Sequence, residues 1–311
     1  MRCELTQEQQ SATSQGEVEY SACPHGCAAS DNTLHEFGRF SVCRCEQCGL
    51  VRLDPRLAEA QLAELYERDY FSGEHATGYD SYERDQQLYE KTFARRIKLI
   101  CRYKSTGRLL DIGCSLGYFL NVADSSGFDV FGIDVSAYAV EHCQPRFPGR
   151  VRQGLLEPRQ FAPNFFDVVT MFDLFEHVYH PRAFLTSIYE ITKDDGIVVI
   201  TTPNHRSFLS RLSKRNWVSY KIPEHVYFYT PETLRRMVAP LFEVELVRSE
   251  GQYCSFEFRS ERVKTLSRPV GRVMLSVVRG LGVKDCTVYV NSGSMTAVLR
   301  KKVPAGNRSP A

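Results

Sequence analysis

The feature of the sequence that most constrains its fold is an alternation of short apolar runs with amphipathic segments, which begins at Arg108. The apolar runs have the length of strands, and the segments between them repeat apolar residues every three or four positions, as helices do. Strands that alternate with helices through short loops form a mostly parallel sheet covered by helices on both faces. We therefore predict an α/β fold. The candidate strands are Arg108–Ile112, Asp129–Ile133, Phe166–Phe172 and Gly196–Thr202, with two more near Glu243–Arg248 and Ser294–Lys301, and the candidate helices are Tyr118–Ser125, Ser136–Gln144 and Pro181–Ile191.

The first of these strands runs into a turn that contains two glycines. In the stretch "LLDIGCSLGYFL", residues 109–120, Gly113 and Gly117 follow the strand, where they permit a tight turn and a close approach of the backbone to a ligand. Asp111 ends the strand, and Asp134 in "FGIDVS" ends the next one, 21 residues after Gly113. An acid at this spacing binds the ribose hydroxyls of an adenosine-type cofactor.

The carboxylate of Asp111 distinguishes between two such cofactors. In a dinucleotide site a pyrophosphate lies at the first turn, and a carboxylate there would repel it. S-adenosylmethionine instead carries an ammonium and a sulfonium, which a carboxylate attracts. The dinucleotide spacing G-x-G-x-x-G is also absent. We interpret the turn as a site for S-adenosylmethionine; the alternative is an ordinary strand-to-helix turn without a ligand.

Residues 108–203 resemble the core of class I S-adenosylmethionine-dependent methyltransferases, in the subgroup of ubiquinone-biosynthesis O-methyltransferases and bacterial sugar and natural-product methyltransferases. The matching motifs are "LLDIGCSLGYFL", "VFGIDVS", "FFDVVTMFDLFEHVYHPRAFL", "GIVVITTPN" and "PEHVYFYTPETLRRM". The resemblance implies a Rossmann-like sheet with helices on both faces. It also implies a set of cofactor-binding residues: Asp111, Gly113, Cys114, Gly117, Tyr118, Asp134, Val135, Leu155, Phe172 and Asp173. Ser115 stands in place of the family's middle glycine, and Leu155 stands where the family often has an acid near the adenine.

Two histidines near strand ends are the candidate general bases. His177 in "LFEHV" follows the fourth strand, and His225 in "IPEHVYFYT" lies on a segment that, in the resembled family, helps to wall the substrate pocket. Histidine titrates near neutral pH and can take the proton of a hydroxyl acceptor. As alternatives, Glu176 and His177 bond backbone groups at a helix start, or Glu176 helps to hold a divalent ion.

Cysteines are concentrated near the N-terminus, where residues 1–54 hold six of the eleven. Two close pairs among them suit a tetrahedral structural zinc in a small zinc-ribbon-like arm. The pairs are Cys23 with Cys27 and Cys45 with Cys48. His25 could replace one ligand, because the first pair has one residue more than the usual spacing, and Cys43 is interpreted as a spare thiol. Buried cysteines without a metal are the alternative.

Composition divides the chain into four parts: the arm at 1–54, a helical connector or cap at 55–105, the S-adenosylmethionine-binding domain at 106–303 and a disordered tail at 304–311. Segments 205–229 and 250–290 are expected on the substrate side of the domain. The first carries five basic side chains that could receive an anionic acceptor, unless it is a solvated surface helix. They are Arg206, Arg211, Lys214, Arg215 and Lys221.

Residues 268–281 predict an amphipathic helix with basic residues beside a single apolar stripe. The stripe comprises Val270, Val273, Met274, Val277, Val278 and Leu281. Such a helix can lie on an anionic membrane surface, but packing as a lid or against the core is the favoured interpretation.

The overall charge of +2 argues against a nucleic-acid-binding surface. The N-terminus does not resemble a signal peptide and no apolar run approaches bilayer length, so a cytoplasmic location is expected. The expected function is methyl transfer from S-adenosylmethionine to an oxygen or carbon of a small molecule, such as a sugar nucleotide, a quinone-like compound or a natural-product precursor. The alternatives are a zinc-bearing RNA methyltransferase and a non-catalytic scaffold that binds the cofactor. Nothing in the residue pattern points to one oligomeric state.

Overall fold

The computed structural model describes residues 17–28, 30–61, 86–256, 260, 268–283 and 286–303. The strands are β1 (Val18–Glu19), β2 (Asp31–Phe37), β3 (Phe40–Cys45), β4 (Val51–Leu53), β5 (Arg56–Leu57), β6 (Gly107–Ile112), β7 (Phe128–Asp134), β8 (Val151–Gln153), β9 (Phe166–Phe172), β10 (Thr192–Pro203), β11 (Tyr227–Phe228), β12 (Phe242–Ser255) and β13 (Thr287–Lys301). The α-helices are α1 (Gln86–Ile100), α2 (Tyr118–Asp124), α3 (Ala137–Cys143), α4 (Pro181–Ile191), α5 (Phe208–Ser213), α6 (Pro231–Val238) and α7 (Arg268–Gly280), and Phe175–His177 forms a short 3₁₀ turn.

The core of the fold is a seven-stranded sheet in the order β12-β13-β10-β9-β6-β7-β8. The five strands from β10 to β8 are parallel, and β13 lies antiparallel to both of its neighbours. The chain builds β6, β7 and β8 toward one side and then returns to place β9 on the other side of β6. The order of strands therefore reverses between β6 and β9, and ligands of open α/β sheets bind at such a switch point, beyond the carboxyl ends of the strands.

Local sequence explains where these elements begin. The central strand β9 and the second half of β10 are almost continuously apolar or buried, because a parallel strand is covered on both faces. Ser136 caps α3 by accepting a hydrogen bond from the Ala139 amide, and Pro181 occupies the first turn of α4. Thr230 and Thr233 form a reciprocal capping box that starts α6. Each cap satisfies amides that the helix leaves unpaired.

A second, four-stranded sheet in the order β11-β4-β3-β2 lies in the N-terminal region. It contains β11, which follows the predicted base His225, so the sheet combines the N-terminal strands with a strand from the 205–229 segment. One hydrophobic core includes Cys45 and Leu50 from the N-terminal region together with Val226 and Tyr227. The predicted division into an arm and a domain does not anticipate this shared core.

The α/β fold predicted from the sequence is confirmed. The four predicted strands and three predicted helices all form, with bounds that shift by a residue or two, except that β10 begins at Thr192, directly after α4. The last two strands are longer than predicted, 14 residues for β12 and 15 for β13. They pair antiparallel along their whole length.

The predicted stripe on α7 forms, but four of its six residues are exposed, so the favoured interpretation that the stripe packs as a lid or against the core is wrong. Leu275 and Val278 are the buried apolar side chains, whereas Val277 is 52% exposed. The exposed apolar residues as a group are Val270, Val273, Val277 and Leu281. Successive helical residues are about 100° apart, so Val277 and Val278 belong to different faces. The helix thus packs through one apolar face and exposes another.

Within the described residues, no helix combines the length and the apolar character needed to cross a membrane. Residues 62–85 of the predicted connector and the predicted tail at 304–311 lie outside the described residues, and the proposed division into four parts stays a prediction.

Candidate active site

The glycine turn between β6 and α2 adopts backbone shapes that glycine favours. Gly113 and Gly117 have φ angles of 76° and 74°. A Cβ at Gly117 would lie 2.8 Å from Cys143 Sγ, so a side chain does not fit there without displacement. Ser115, which replaces the family's middle glycine, also has a positive φ, 47°. The turn therefore keeps its left-handed backbone although one of its glycines is missing.

Two carboxylates flank this turn at the ends of adjacent strands. Asp111 is buried and accepts a hydrogen bond of 2.6 Å from the Thr170 hydroxyl. Burial raises the pKa of Asp111 to about 7, although the Thr170 hydrogen bond and the charge of Arg96 oppose the rise. Asp134 accepts hydrogen bonds from the amides of Ser115 (2.7 Å) and Ser136 (3.0 Å). Asp134 thus fixes the turn and also lies where an acid would meet a ribose.

Six other predicted cofactor-binding residues share a place at the carboxyl edge of the large sheet. They are Cys114, Tyr118, Val135, Leu155, Phe172 and Asp173. Cys114 and Tyr118 are buried, whereas Leu155 is 64% exposed. The fold brings all of them to the edge at which such sheets bind ligands, and the contact of each with a cofactor stays a prediction.

A residue that the sequence pattern does not single out, Arg96 of α1, lies at the same edge. Its guanidinium is 4.6 Å above the ring of Phe172, and Nη2 lies 3.5 Å from Asp173 Oδ2. Arg96 is buried, and its Nε–H has no hydrogen-bond partner among the described residues. A buried guanidinium with an unused donor suits a carboxylate ligand. Arg96 lies three residues after Phe93 and four before Ile100, so the helical pattern places it on the buried face of α1 and Arg95 on the opposite face.

Both predicted bases meet in one cluster with Glu176. The rings of His177 and His225 lie 4.5 Å apart and nearly perpendicular. Glu176 is 1% exposed, and its Oε2 accepts a 2.9 Å hydrogen bond from Thr202 at the end of β10. Its Oε1 and the Nδ1 of His225 have no hydrogen-bond partner among the described residues. His177 Nδ1 lies 3.1 Å from the Glu224 carbonyl oxygen, to which it donates. The alternative role of Glu176 and His177, as backbone-bonding groups at a helix start, accounts for only part of these contacts.

Burial controls the protonation of this cluster. Burial, followed by the charge of Asp173, raises the pKa of Glu176 to about 8. Burial, followed by the charge of Lys221, lowers the pKa of His177 to about 3, and burial also lowers the pKa of His225 well below its usual range. At neutral pH both imidazoles are therefore neutral, and because burial disfavours the imidazolium, each would take a proton only with a negative charge nearby.

The cluster adjoins the glycine turn through the short segment that follows β9. A Cβ at Gly113 would lie 3.3 Å from Leu174 Cδ1, and the Asp173 amide donates to the Thr201 carbonyl at 2.7 Å. The same segment continues into Glu176 and His177. The cofactor crevice and the histidine cluster are therefore neighbouring parts of one site.

Among the described residues, two groups of side chains have the composition of metal ligands. The ligand atoms within each group lie within 4.8 Å of one another. The first group is Cys23, Cys27, Cys45 and Cys48, and the second is Glu176, His177 and His225. The first is the predicted zinc set, and four thiols at this spacing fit a tetrahedral zinc. The second could hold a divalent cation through two imidazoles and a carboxylate.

The four cysteines come together on two tight turns. The Gly26 amide donates to the Cys23 carbonyl and the Gly49 amide to the Cys45 carbonyl, each at 2.8 Å. Gly26 has a φ of 73°, so the additional residue of the first pair is absorbed by a left-handed glycine. His25 and Cys43 are not members of the group. Cys43 instead contacts the Thr33 hydroxyl.

Three of the five basic residues predicted to face an acceptor are engaged elsewhere. Arg206 pairs with Glu232 at 2.6 Å, Arg211 Nε donates to the Arg206 carbonyl, and Arg215 donates to the Glu36 carbonyl. Lys221 is exposed, and its charge acts on both histidines of the cluster. Of the five, Lys221 has the position best suited to an anionic acceptor.

Comparison with known proteins agrees with this geometry. Residues 79–240 match the family described as a methyltransferase domain. The chain is 34% identical over 132 residues to the mitochondrial ubiquinone biosynthesis O-methyltransferase of Schizosaccharomyces pombe, covering 40% of this chain and 46% of that one. It is 30% identical over 142 residues to the ubiquinone biosynthesis O-methyltransferase of Cereibacter sphaeroides, covering 42% and 58%. The chain thus spans about half the length of these relatives.

Solved structures share the fold. A chain of the complex between the Haloferax volcanii Trm112 methyltransferase activator and a methyltransferase superimposes with a TM-score of 0.51 at 16% identity, covering 70% of this chain and 93% of that one. The family match covers just over half of the chain and includes the glycine turn, both flanking acids and both histidines. The resemblance inferred from the sequence motifs is confirmed, and the chain belongs to the methyltransferase-domain family.

Proposed function

We propose that this protein transfers a methyl group from S-adenosylmethionine to a hydroxyl oxygen of a small molecule. The observation that carries the proposal is that the loop after β9 links two groups of residues, with Leu174 beside Gly113 and the same loop carrying Glu176 and His177. One is the crevice formed by the glycine turn with Asp111 and Asp134, and the other is the cluster of Glu176, His177 and His225. A site with a cofactor crevice beside neutral imidazoles suits methyl transfer that also requires proton removal.

The crevice residues provide for the parts of the cofactor. When bound, S-adenosylmethionine supplies a methyl group on a sulfonium, a carbon already activated for displacement. Asp134 would accept hydrogen bonds from the ribose hydroxyls, as acids do at this position of the fold. Asp111, once ionised, favours the cationic groups, and Arg96 lies where it could bind the carboxylate. These three charges position the cofactor and do not take part in bond breaking.

The cluster would receive the acceptor's proton. The cofactor would supply the methyl group, and an imidazole of the cluster would take the proton of the acceptor hydroxyl. Nδ1 of His225 has no hydrogen-bond partner among the described residues, so it is the nitrogen that would accept the proton. Ionised Glu176 stabilises the imidazolium that results. Because the pKa of Glu176 is about 8, the rate should rise with pH through that range.

The relatives support oxygen as the acceptor atom, since both are named ubiquinone biosynthesis O-methyltransferases. A quinone-like phenol is accordingly the first acceptor class to test, followed by sugar nucleotides and natural-product precursors. The exposed ammonium of Lys221 near the cluster favours an acceptor that also carries an anionic group. RNA is not favoured, because three of the basic residues of 205–229 are engaged by groups of the protein itself.

The proposal is tested with S-adenosylmethionine labelled on its methyl group and three fractions of host extract: polar metabolites, lipids and total RNA. Label should enter metabolites or lipids. His225→Gln should slow the transfer by about 10²–10⁴-fold, the usual contribution of a general base, without weakening cofactor binding. Arg146→Gln, at a surface ion pair with Asp124, is the matched control. Label in RNA would contradict the acceptor class, and full activity of His225→Gln would contradict its role as the base.

We also propose that the four-cysteine cluster holds a structural zinc ion. All four positions of a tetrahedral site would be filled by thiolates, so this metal would support folding and not the reaction. Metal analysis of the purified protein should find one zinc per chain, and Cys45→Ser combined with Cys48→Ser should lose it. A metal-free protein that melts at the same temperature as the untreated protein would show that the cluster needs no metal.

A further inference from the structure

The N-terminal region contributes directly to the backbone that carries His225. We call residues 51–57, which include β4 and β5, the clamp. The strand β11 pairs antiparallel with β4, with Tyr227 opposite Arg52 and Phe228 opposite Val51. The Leu53 amide of the clamp donates to the Val226 carbonyl at 3.0 Å. The residue next to His225 is therefore hydrogen-bonded to the N-terminal sheet.

Val226 connects the clamp to the other half of the cluster. Its amide donates to the Glu176 carbonyl at 3.0 Å, while its carbonyl accepts from Leu53. One residue thus bridges the turn that bears Glu176 and His177 and the clamp. Displacement of the clamp would remove one side of this bridge, and both histidines lie within one residue of it.

Arg56 ties the same three pieces together through its side chain. It is buried, and its Nη1 donates to the Tyr179 carbonyl (3.2 Å) and to the Tyr227 hydroxyl (3.3 Å). Its guanidinium lies 4.1 Å above the ring of Tyr179 and forms an ion pair of 2.7 Å with Glu19. The Tyr179 hydroxyl in turn donates to the Leu57 carbonyl at 2.8 Å. Arg56 is a positioning residue by this geometry, since it contacts both segments of the cluster and neither histidine.

The cysteine cluster is continuous with the clamp. The Cys45 amide donates to the Leu50 carbonyl at 2.9 Å, which closes the turn directly before β4. Cys23, Cys45 and Leu50 are buried in the same core as Phe175 and Tyr229. By contrast, the glycine turn, Asp111 and Asp134 are held by hydrogen bonds to Thr170, Ser115 and Ser136, all within the large sheet and its loops.

From these contacts we infer that the N-terminal region is a positioning device for the acceptor side of the site, with the cysteine cluster as its anchor and Arg56 as its joint. An ordered cluster holds the two histidine-bearing segments together, and the loss of its metal releases them while the cofactor crevice stays intact. The catalytic importance of this positioning rests on the proposed function, because that function assigns the histidines to the acceptor.

The test measures the histidines themselves and needs no acceptor. The full-length protein, a chelator-treated sample and the Arg56→Gln variant are exposed to diethyl pyrocarbonate, and modification of each histidine is read by mass spectrometry. His142, exposed on α3, serves as the internal reference, and Arg146→Gln as the matched control variant. Cofactor affinity is measured on the same samples by titration calorimetry.

His225, only 3% exposed, should be protected relative to His142 in the intact protein and in Arg146→Gln. Metal removal should increase the modification of His225 roughly tenfold, since local opening sets the access of the reagent. Arg56→Gln, which loses the Arg56 hydrogen bonds while the cysteine cluster keeps its metal, should have the same effect. The cofactor dissociation constant should stay within about a factor of two, because the crevice does not depend on the clamp.

Continued protection of His225 in both treated samples would overturn the inference, and so would a parallel loss of cofactor binding, which would show that the region stabilises the whole fold. Failure of the proposed function gives a different result. In that case His225 opens as expected, but His225→Gln and Arg56→Gln leave methyl transfer unchanged.

Discussion

Replacement of Asp134 by alanine should lower the stability of the cofactor-free protein and also reduce its affinity for the cofactor. The two carboxylate oxygens accept separate backbone hydrogen bonds, from Ser115 at 2.7 Å and from Ser136 at 3.0 Å. A hydrogen bond to a charged group contributes about 1.5–3 kcal/mol to stability, so the loss of both bonds removes about 3–6 kcal/mol in the limit of no replacement by water. Water reaches this partly exposed side chain, and we expect a loss near 3 kcal/mol, about half the upper limit.

The cofactor loses comparable contacts. If the carboxylate receives both ribose hydroxyls, its removal costs about 3 kcal/mol or more of binding free energy, which is a rise of at least about 100-fold in the dissociation constant. Asp134→Asn keeps one acceptor oxygen and should give intermediate values for both properties. Urea unfolding of the protein without cofactor measures the first property, and titration calorimetry with S-adenosylmethionine measures the second.

Asp129, on the same strand, provides the matched control. It is exposed and pairs with Arg150 at the surface, so Asp129→Asn should change stability by less than about 1 kcal/mol. An unchanged urea midpoint in Asp134→Ala would refute the structural role of its two hydrogen bonds. An unchanged dissociation constant would refute the placement of the ribose, and with it the cofactor assignment.

Three further predictions follow from packing and charge. Because burial raises the pKa of Asp111 to about 7, the carboxyl is partly protonated near neutral pH, and binding of a cationic cofactor should displace this proton. Calorimetry in two buffers should therefore show proton release near pH 6–7 and a cofactor affinity that rises with pH through that range. Both effects should vanish in Asp111→Asn. Gly117→Ala should destabilise the protein, by about 1–2 kcal/mol for the left-handed backbone alone, and Cys143→Ala in the same chain should recover part of the loss in thermal unfolding, since it removes the 2.8 Å contact. Val278→Asp should lower the melting temperature strongly while Val277→Asp should leave it nearly unchanged, because only Val278 is buried; equal effects would contradict the two-faced packing of α7.

The parts of the fold that the sequence predicts well are those determined by neighbours along the chain. The strand β9 is apolar because both of its faces are covered, and that composition is visible in the sequence without any partner. The glycine turn is similar, since Gly113 and Gly117 have positive φ angles that follow from the local backbone. The prediction that Asp134 ends the next strand is confirmed, because a strand–turn–helix–strand unit has a nearly constant length.

The features that sequence reasoning misses depend on contacts between distant segments. The helical pattern places Arg96 on the apolar face of α1, but only the packing of α1 against Phe172 makes it part of the site. The stripe on α7 shows the same limit. The pattern predicts which residues share a face, but the choice of the buried face, which contains Leu275 and Val278, depends on what the rest of the chain presents to it.

The histidine cluster combines both kinds of information, and this explains why its residues could be named from the sequence while its architecture could not. His177 and His225 each follow a strand or turn with an identifiable motif, so each can be found alone. Their 4.5 Å separation, however, accompanies long-range contacts: Val226 bonds to Glu176, and β11 pairs with β4 across more than 170 positions of the chain, a register that no local pattern encodes. The N-terminal region, which the sequence pattern presents as a separate arm, thus pairs with the strand that follows His225. Substitutions in residues 51–57 should consequently affect methyl transfer to the acceptor more than cofactor binding, although these residues lie far in sequence from both histidines.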